Sequence, residues 1–193
     1  MRKLYVLLVV IFLLLCSASG ALATGVGFYG TVGKGTLKFE DDWWASSGHD
    51  NSREDTQIIG TGMVLDTAVA QNRIFNYRLN LGYEKLNIDF DEENVRDRLE
   101  SVVIDQDFGL AVYKSDSARI WFGPEQRIFF SHDEFGLGIG PVLGMNLHAS
   151  REVSLALKLG FLFSGFASFS DYEKESHAFL NLAILFRSEG DQY

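Results

Sequence analysis

Long stretches of this chain alternate apolar and polar residues with a period of two. Phe75, Tyr77, Leu79, Leu81 and Tyr83 share one face, and Asn76, Arg78, Asn80, Gly82 and Glu84 share the other. The pattern recurs in Val153, Leu155, Leu157, Leu159 and Phe161, and again in Ala178, Leu180, Leu182, Ile184 and Phe186. Successive side chains of a strand point to opposite sides, so this is a strand signature; a helix would need spacings of three and four. Carried along the chain, it predicts eight strands, at about 25–39, 57–67, 73–88, 100–113, 118–130, 136–148, 152–166 and 176–187. The connections alternate in length. Residues 40–56, 89–99, 131–135 and 167–175 are charged and turn-rich, whereas 68–72, 114–117 and 149–151 are tight. An even strand number, long strands and alternating loop lengths are the pattern of a bacterial outer-membrane barrel. No linker, low-complexity tract or internal repeat interrupts it.

Residues 1–23 read differently. Arg2 and Lys3 precede an unbroken apolar run, Leu4 to Leu15, and Ala21 and Ala23 put small residues where a signal peptidase reads. This predicts a cleaved secretory signal peptide followed by one domain over 24–193. The run is short for a membrane of about 30 Å. Bulky Leu15 before Cys16 argues against a lipoprotein site. Cleavage would remove the single cysteine and two cations, taking the charge from −9 to −11. A mature chain so acidic is unsuited to nucleic acid. With 47% hydrophobic residues it is unsuited to disorder.

Period two alone does not say whether the apolar face is a core or a lipid coat. Three features favour lipid. The other face carries charges of both signs, Arg78, Glu84, Asp105, Asp107, Glu125, Arg127 and Lys158. It also carries Gly25, Gly27, Gly60, Gly62, Gly136, Gly138, Gly140 and Gly144, which would make room for long neighbours in a narrow barrel. Aromatic residues near strand ends (Phe75, Tyr77, Tyr83, Phe130, Phe135, Phe161, Phe163 and Phe186) suit interfacial girdles. The apolar face, finally, shows no charge across its middle.

On these patterns the chain resembles the small eight-stranded outer-membrane barrels of the OmpA/OmpX type. The resemblance covers the whole expected mature chain and rests on pattern, not on a family signature. It implies an all-β, antiparallel, up-and-down transmembrane barrel with a porin-like fold in the Gram-negative envelope, reached by export through the periplasm. It implies termini in the periplasm and long loops outside the cell. It also implies outer-membrane lipids and lipopolysaccharide as surroundings, and the outer-membrane assembly machinery as a partner during biogenesis. The last strand, Ala178 to Phe186, resembles the C-terminal assembly signal; Phe186 and Tyr193 both remain candidates for its terminal aromatic.

Hairpin pairing gives a lumen network, because paired residues in an antiparallel hairpin have a constant index sum. A sum of 232 sets Asp105 opposite Arg127 and Asp107 opposite Glu125, with Asp107 diagonal to Arg127. A sum of 302 sets Lys158 opposite Gly144, and a sum of 140 sets Arg78 opposite Gly62. An eight-stranded lumen is just wide enough for side chains, so a structural plug is expected over an ion path.

Chemistry is sparse. His49, His132 and His177 are expected in or near solvated loops and His148 at a turn, so no metal site or cofactor is expected. Ser131-His132-Asp133 and Glu175-Ser176-His177 suggest hydrolytic residues, but adjacent strand residues face opposite ways. No motif of a lipid A acyltransferase or deacylase is recognisable, so an enzyme is the alternative and not the main expectation. A narrow channel is the other. Trp43 and Trp44, in an acidic loop, are candidates for sugar or partner contact.

The apolar face has one flaw. The sum of 232 sets Gln106 opposite Gln126, and a sum near 265 sets Pro124 beside Pro141, the only prolines. Proline lacks the ladder N–H, so bulges are expected to absorb the two prolines and the glutamine amides to bond each other. A lateral contact for a lipid chain or a second protomer is the competing expectation. Proline-flanked lateral openings are a feature of the lipid A palmitoyltransferase barrel.

Overall fold

The computed structural model describes residues 25–39, 53–66, 74–90, 95–131, 135–150, 152–167 and 172–187. Strands β1 (Gly25–Phe39), β2 (Arg53–Asp66), β3 (Phe75–Phe90), β4 (Val95–Lys114), β5 (Ala118–Phe130), β6 (Phe135–His148), β7 (Val153–Ala167) and β8 (Tyr172–Arg187) follow in order. They form a closed antiparallel barrel in which each strand pairs with its sequence neighbours and β1 closes on β8. The fold is therefore all-β, eight-stranded and up-and-down, as the alternation predicts. Closure leaves no unpaired sheet edge. The expected leader with Ala21 and Ala23, the loop holding Trp43, Trp44 and His49, and His132, Asp133 and Tyr193 lie outside the described residues.

Several strands run farther into the expected loops than their apolar pattern does. β2 starts at Arg53, β4 at Val95 and β8 at Tyr172, so the ladders outlast the alternation at the long-loop end. Polar residues such as Glu54, Asp55 and Arg98 occupy those extensions. Backbone pairing needs no apolar side chain, and so the pattern underestimates strand length there.

Three of the four hairpin registers agree with the index sums. Asp105 pairs with Arg127, Gln106 with Gln126 and Asp107 with Glu125. Pro124 pairs with Pro141, and Gly144 with Lys158. The fourth differs. Arg78 pairs with Asp66, and Gly62 with Gly82. The β2–β3 connection is longer than a tight turn, and the shift of four residues keeps every side chain on its expected face while giving Arg78 a carboxylate instead of a glycine. The glycines so aligned make room for Tyr29: a Cβ on Gly82 would stand 2.0 Å from its hydroxyl.

The wall has two chemically distinct faces. Outward, large apolar side chains stay exposed on every strand, among them Phe28 (62%), Ile139 (62%) and Leu182 (55%). Lys34 and Arg98 are exposed polar exceptions. Inward lie charged residues and also three apolar clusters that the sequence reading did not assign. Leu37, Ile58, Leu86, Ile88, Val103 and Phe129 fill the long-loop end. Tyr29, Val64, Ala156, Ala183 and Leu185 fill the short-turn end. Trp121, Val142, Leu162 and Phe179 come from β5 to β8. Their parity matches the polar face; only barrel closure shows that this face is a packed interior.

Candidate functional site

All seven charged residues assigned to the lumen are buried there. Arg127 lies at the centre of the larger cluster. Its Nε donates to Asp105 Oδ1 at 2.7 Å, Nη2 to Asp105 Oδ2 at 3.2 Å, and Nη1 to Glu84 Oε2 at 2.8 Å. Nη2 also lies 3.5 Å from Glu125 Oε1. Lys158 projects from β7 and reaches strands it does not adjoin, while the Trp121 ring covers its paired Gly144. Its Nζ donates to both Asp107 oxygens at 3.1 Å and to Glu125 Oε2 at 2.6 Å. Glu125 thus joins the two cations. The expected diagonal contact of Asp107 with Arg127 is replaced by the bonds to Lys158, because the short span of the lumen favours the cation across the barrel. The Phe179 ring lies within 5.6 Å of the Arg127 guanidinium and 5.2 Å of Lys158 Nζ, a cation–π position for both.

A smaller cluster occupies the short-turn half. Arg78 Nε donates to Asp66 Oδ2 at 3.0 Å, and its Nη2 contacts the same oxygen and donates to Asn146 Oδ1 at 2.9 Å. The Arg78 guanidinium stands 5.4 Å from the Trp121 ring. The sequence reading missed Asp66 and Asn146. Asn146 shares parity with Gly144, a signal that was present; Asp66 depended on the longer β2–β3 connection.

His177 is also misplaced by the sequence reading. It is 2% exposed, inside the barrel, and not a solvated loop residue. Its parity with Asn181 and Arg187 on β8 was the available signal. Glu175, two residues before, faces the same way, with Oε1 at 3.5 Å from His177 Nδ1. Ser176 is on the opposite face, as the strand geometry requires, and bonds Thr36 Oγ1 at 3.3 Å. Ser131 Oγ donates to the Glu100 carbonyl at 3.0 Å. His148 ends β6 beside Ser154 at 3.0 Å, and Arg187 contacts both.

A small chamber of about 30 Å³ lies under the apolar residues of the long-loop end, lined in part by Glu84, Ser101, Ser164, Glu175 and His177. Glu84 Oε1, Ser164 Oγ, Glu175 Oε1 and both His177 nitrogens make no hydrogen bond. A space of that size holds about two waters, enough to satisfy such groups and too little for an acyl chain. Ser164 and His177 share the chamber without bonding each other. Among the described residues no three His, Cys, Asp or Glu side chains are placed to hold a metal ion.

On the outer face the seam residues Gln106, Pro124, Gln126 and Pro141 come together as two facing pairs. The bulge expected to absorb the prolines is not at them. The one register shift of β4–β5 lies between Ala111 and Tyr113. At the prolines the ladders omit rungs and keep register. No hydrogen bond joins the Gln106 and Gln126 side chains, contrary to expectation.

No family model matches the chain, and no curated protein matches it. Solved structures similar to it include the outer membrane protein OprG from Pseudomonas aeruginosa. That similarity has 8% identity and a TM-score of 0.47, covering 86% of this chain and 96% of that one. Neisserial surface protein A is similar at 12% identity and a TM-score of 0.41, over 83% and 97% of the two chains. Ail, the attachment invasion locus protein of Yersinia pestis, is similar at 7% identity and a TM-score of 0.39, over 86% and 99%.

Proposed function

We propose that this protein is a small outer-membrane β-barrel with a structural, adhesive or envelope-integrity role, neither a lipid-modifying enzyme nor a channel. One observation carries the reading: the barrel is inside out by the standard of a water-soluble one. Arg78, Asp105, Asp107, Glu125, Arg127 and Lys158 are at most 3% exposed in its interior, while Phe28, Ile59, Phe163 and Phe186 are more than half exposed on its wall. A soluble monomer rarely shows an apolar surface of such extent. A transmembrane barrel requires it, with every backbone group paired by closure. The filled lumen favours a structural role over conduction. Ionic clusters cross it, and apolar layers lie at both its ends. The size of the chamber at His177 argues against a lipid substrate there.

The test is electrophoresis of the detergent-solubilised protein with and without boiling. The expected result is a faster band before boiling. Unchanged mobility, together with partition as a soluble protein, would sink the reading. Planar-bilayer conductance at background is expected. Lipid A of unaltered mass is expected from cells that express the protein, and a shifted mass would favour the enzyme.

A further inference from the structure

We propose that the β5–β6 hairpin is the surface through which two copies of this chain pair side by side in the membrane. The proposal rests on the outer-membrane reading above.

Both prolines follow a glycine, and the two Gly-Pro steps face each other: Gly123 pairs with Val142, Pro124 with Pro141, and Glu125 with Gly140. Between these strands the ladder is unbroken from Ala118–Leu147 to Phe130–Phe135. The ladders on either side are not. β4–β5 omits the rungs between Asp107–Glu125 and Leu110–Phe122. β6–β7 omits those between Ile139–Phe163 and Val142–Gly160. The missing rungs are thus on the outer side of each proline, where an N–H would have been needed. Glycine precedes each because the backbones crowd there. A Cβ on Gly123 would stand 1.8 Å from the Phe108 carbonyl oxygen, and one on Gly140 would stand 1.7 Å from that of Phe161. The hairpin is therefore a continuous two-stranded unit flanked at one level by two gaps.

Beside the first gap lie Gln106 and Gln126, with apolar neighbours above and below. Along β5 these are Ile128 and Phe130 on one side and Pro124 and Phe122 on the other. An amide in hydrocarbon without a partner is unfavourable. Acyl chains offer no hydrogen bond, and Trp121, Val142 and Leu162 behind this wall are buried and open no way inward among the described residues. A second copy does offer partners. A two-fold axis at the seam sets each glutamine pair against its own counterpart, so one surface serves as both halves of the contact. Phe122, Ile139 and Leu143, exposed around it, supply the apolar contact.

The experiment uses the full chain carrying Cys16→Ser, exported and extracted in mild detergent. Gln126→Cys and Leu157→Cys are each added and oxidised, and sedimentation is followed in density-matched detergent. The expected result is several-fold more disulfide-linked dimer from Gln126→Cys than from Leu157→Cys, and dimeric sedimentation of the parent. Gln106→Leu with Gln126→Leu should then sediment as a monomer while keeping its faster unboiled band. Equal linking at the two positions, or a monomeric parent that keeps the faster unboiled band, overturns the proposal and leaves the membrane reading intact. Loss of the faster band in the parent overturns both.

Discussion

The two ionic clusters in the lumen use the same chemistry with different connectivity. In the short-turn half, Arg78 bonds one of its two ladder-neighbour carboxylates, Asp66 and not Asp107, and shares it with the Asn146 amide. In the middle, Arg127 and Lys158 are shared among Glu84, Asp105, Asp107 and Glu125. The first is close to a local pair whose partners are neighbours in one ladder. The second reaches across the barrel, and Glu125 ties its halves together. A pair is removed as a unit; a network leaves orphans whichever member is removed. Buried ion pairs need not stabilise much relative to apolar residues of similar volume, but stranding one partner is strongly unfavourable.

The largest expected effect comes from Arg127→Leu, which strands Asp105 and Glu84 and takes one of two cations from Glu125. Urea unfolding in lipid vesicles should show a loss of about 3–5 kcal/mol. Adding Asp105→Leu should recover only part of it, because Glu84 still lacks its cation. Full recovery would show that the central cluster is a pair after all. Arg78→Leu should lose about 3 kcal/mol, and Asp66→Leu added to it should recover most of that. A double-mutant cycle separates the two behaviours directly, and equal fractional recovery in both clusters would erase the difference between them.

Packing around the clusters gives a smaller effect. Gly144→Ala places a Cβ 2.0 Å from the Trp121 ring, over which Arg78 lies. The same unfolding measurement should show a loss of about 1–3 kcal/mol from overpacking. The smallest effect is expected from Glu84→Gln. Glu84 accepts one bond from Arg127, and its other oxygen has no partner. A neutral amide can still accept from Arg127 while relieving the surplus of acid, so the change should stay within about 1 kcal/mol. A loss as large as that of Arg127→Leu would place the centre of the network at Glu84.

Much of this architecture was legible in the chain because strand alternation is local. Phe75 to Tyr83 and Val153 to Phe161 establish both strands and faces without reference to anything distant. Two tight turns and the short connection between β5 and β6 made three registers legible, since few residues leave little freedom in the pairing of Asp105 with Arg127 or Gly144 with Lys158. The β2–β3 register was not legible, because a longer connection permits several pairings of equal parity. The lateral seam was legible as facing prolines and glutamines, whereas the two ladder gaps that fence it required the neighbours of both strands.

What the sequence determined by itself is the all-β composition of the wall, its two faces and the charged set that one face carries. What only the tertiary structure decided is who meets whom inside. Index sums relate neighbours on one ladder, but Lys158 bonds Asp107 and Glu125 across the lumen, and Glu84 reaches Arg127 from a strand two places away. His177 is buried because β8 closes on β1. These contacts depend on the curvature and closure of the sheet. Such properties belong to the whole barrel, because a single strand brings together only near neighbours such as Glu125 and Arg127.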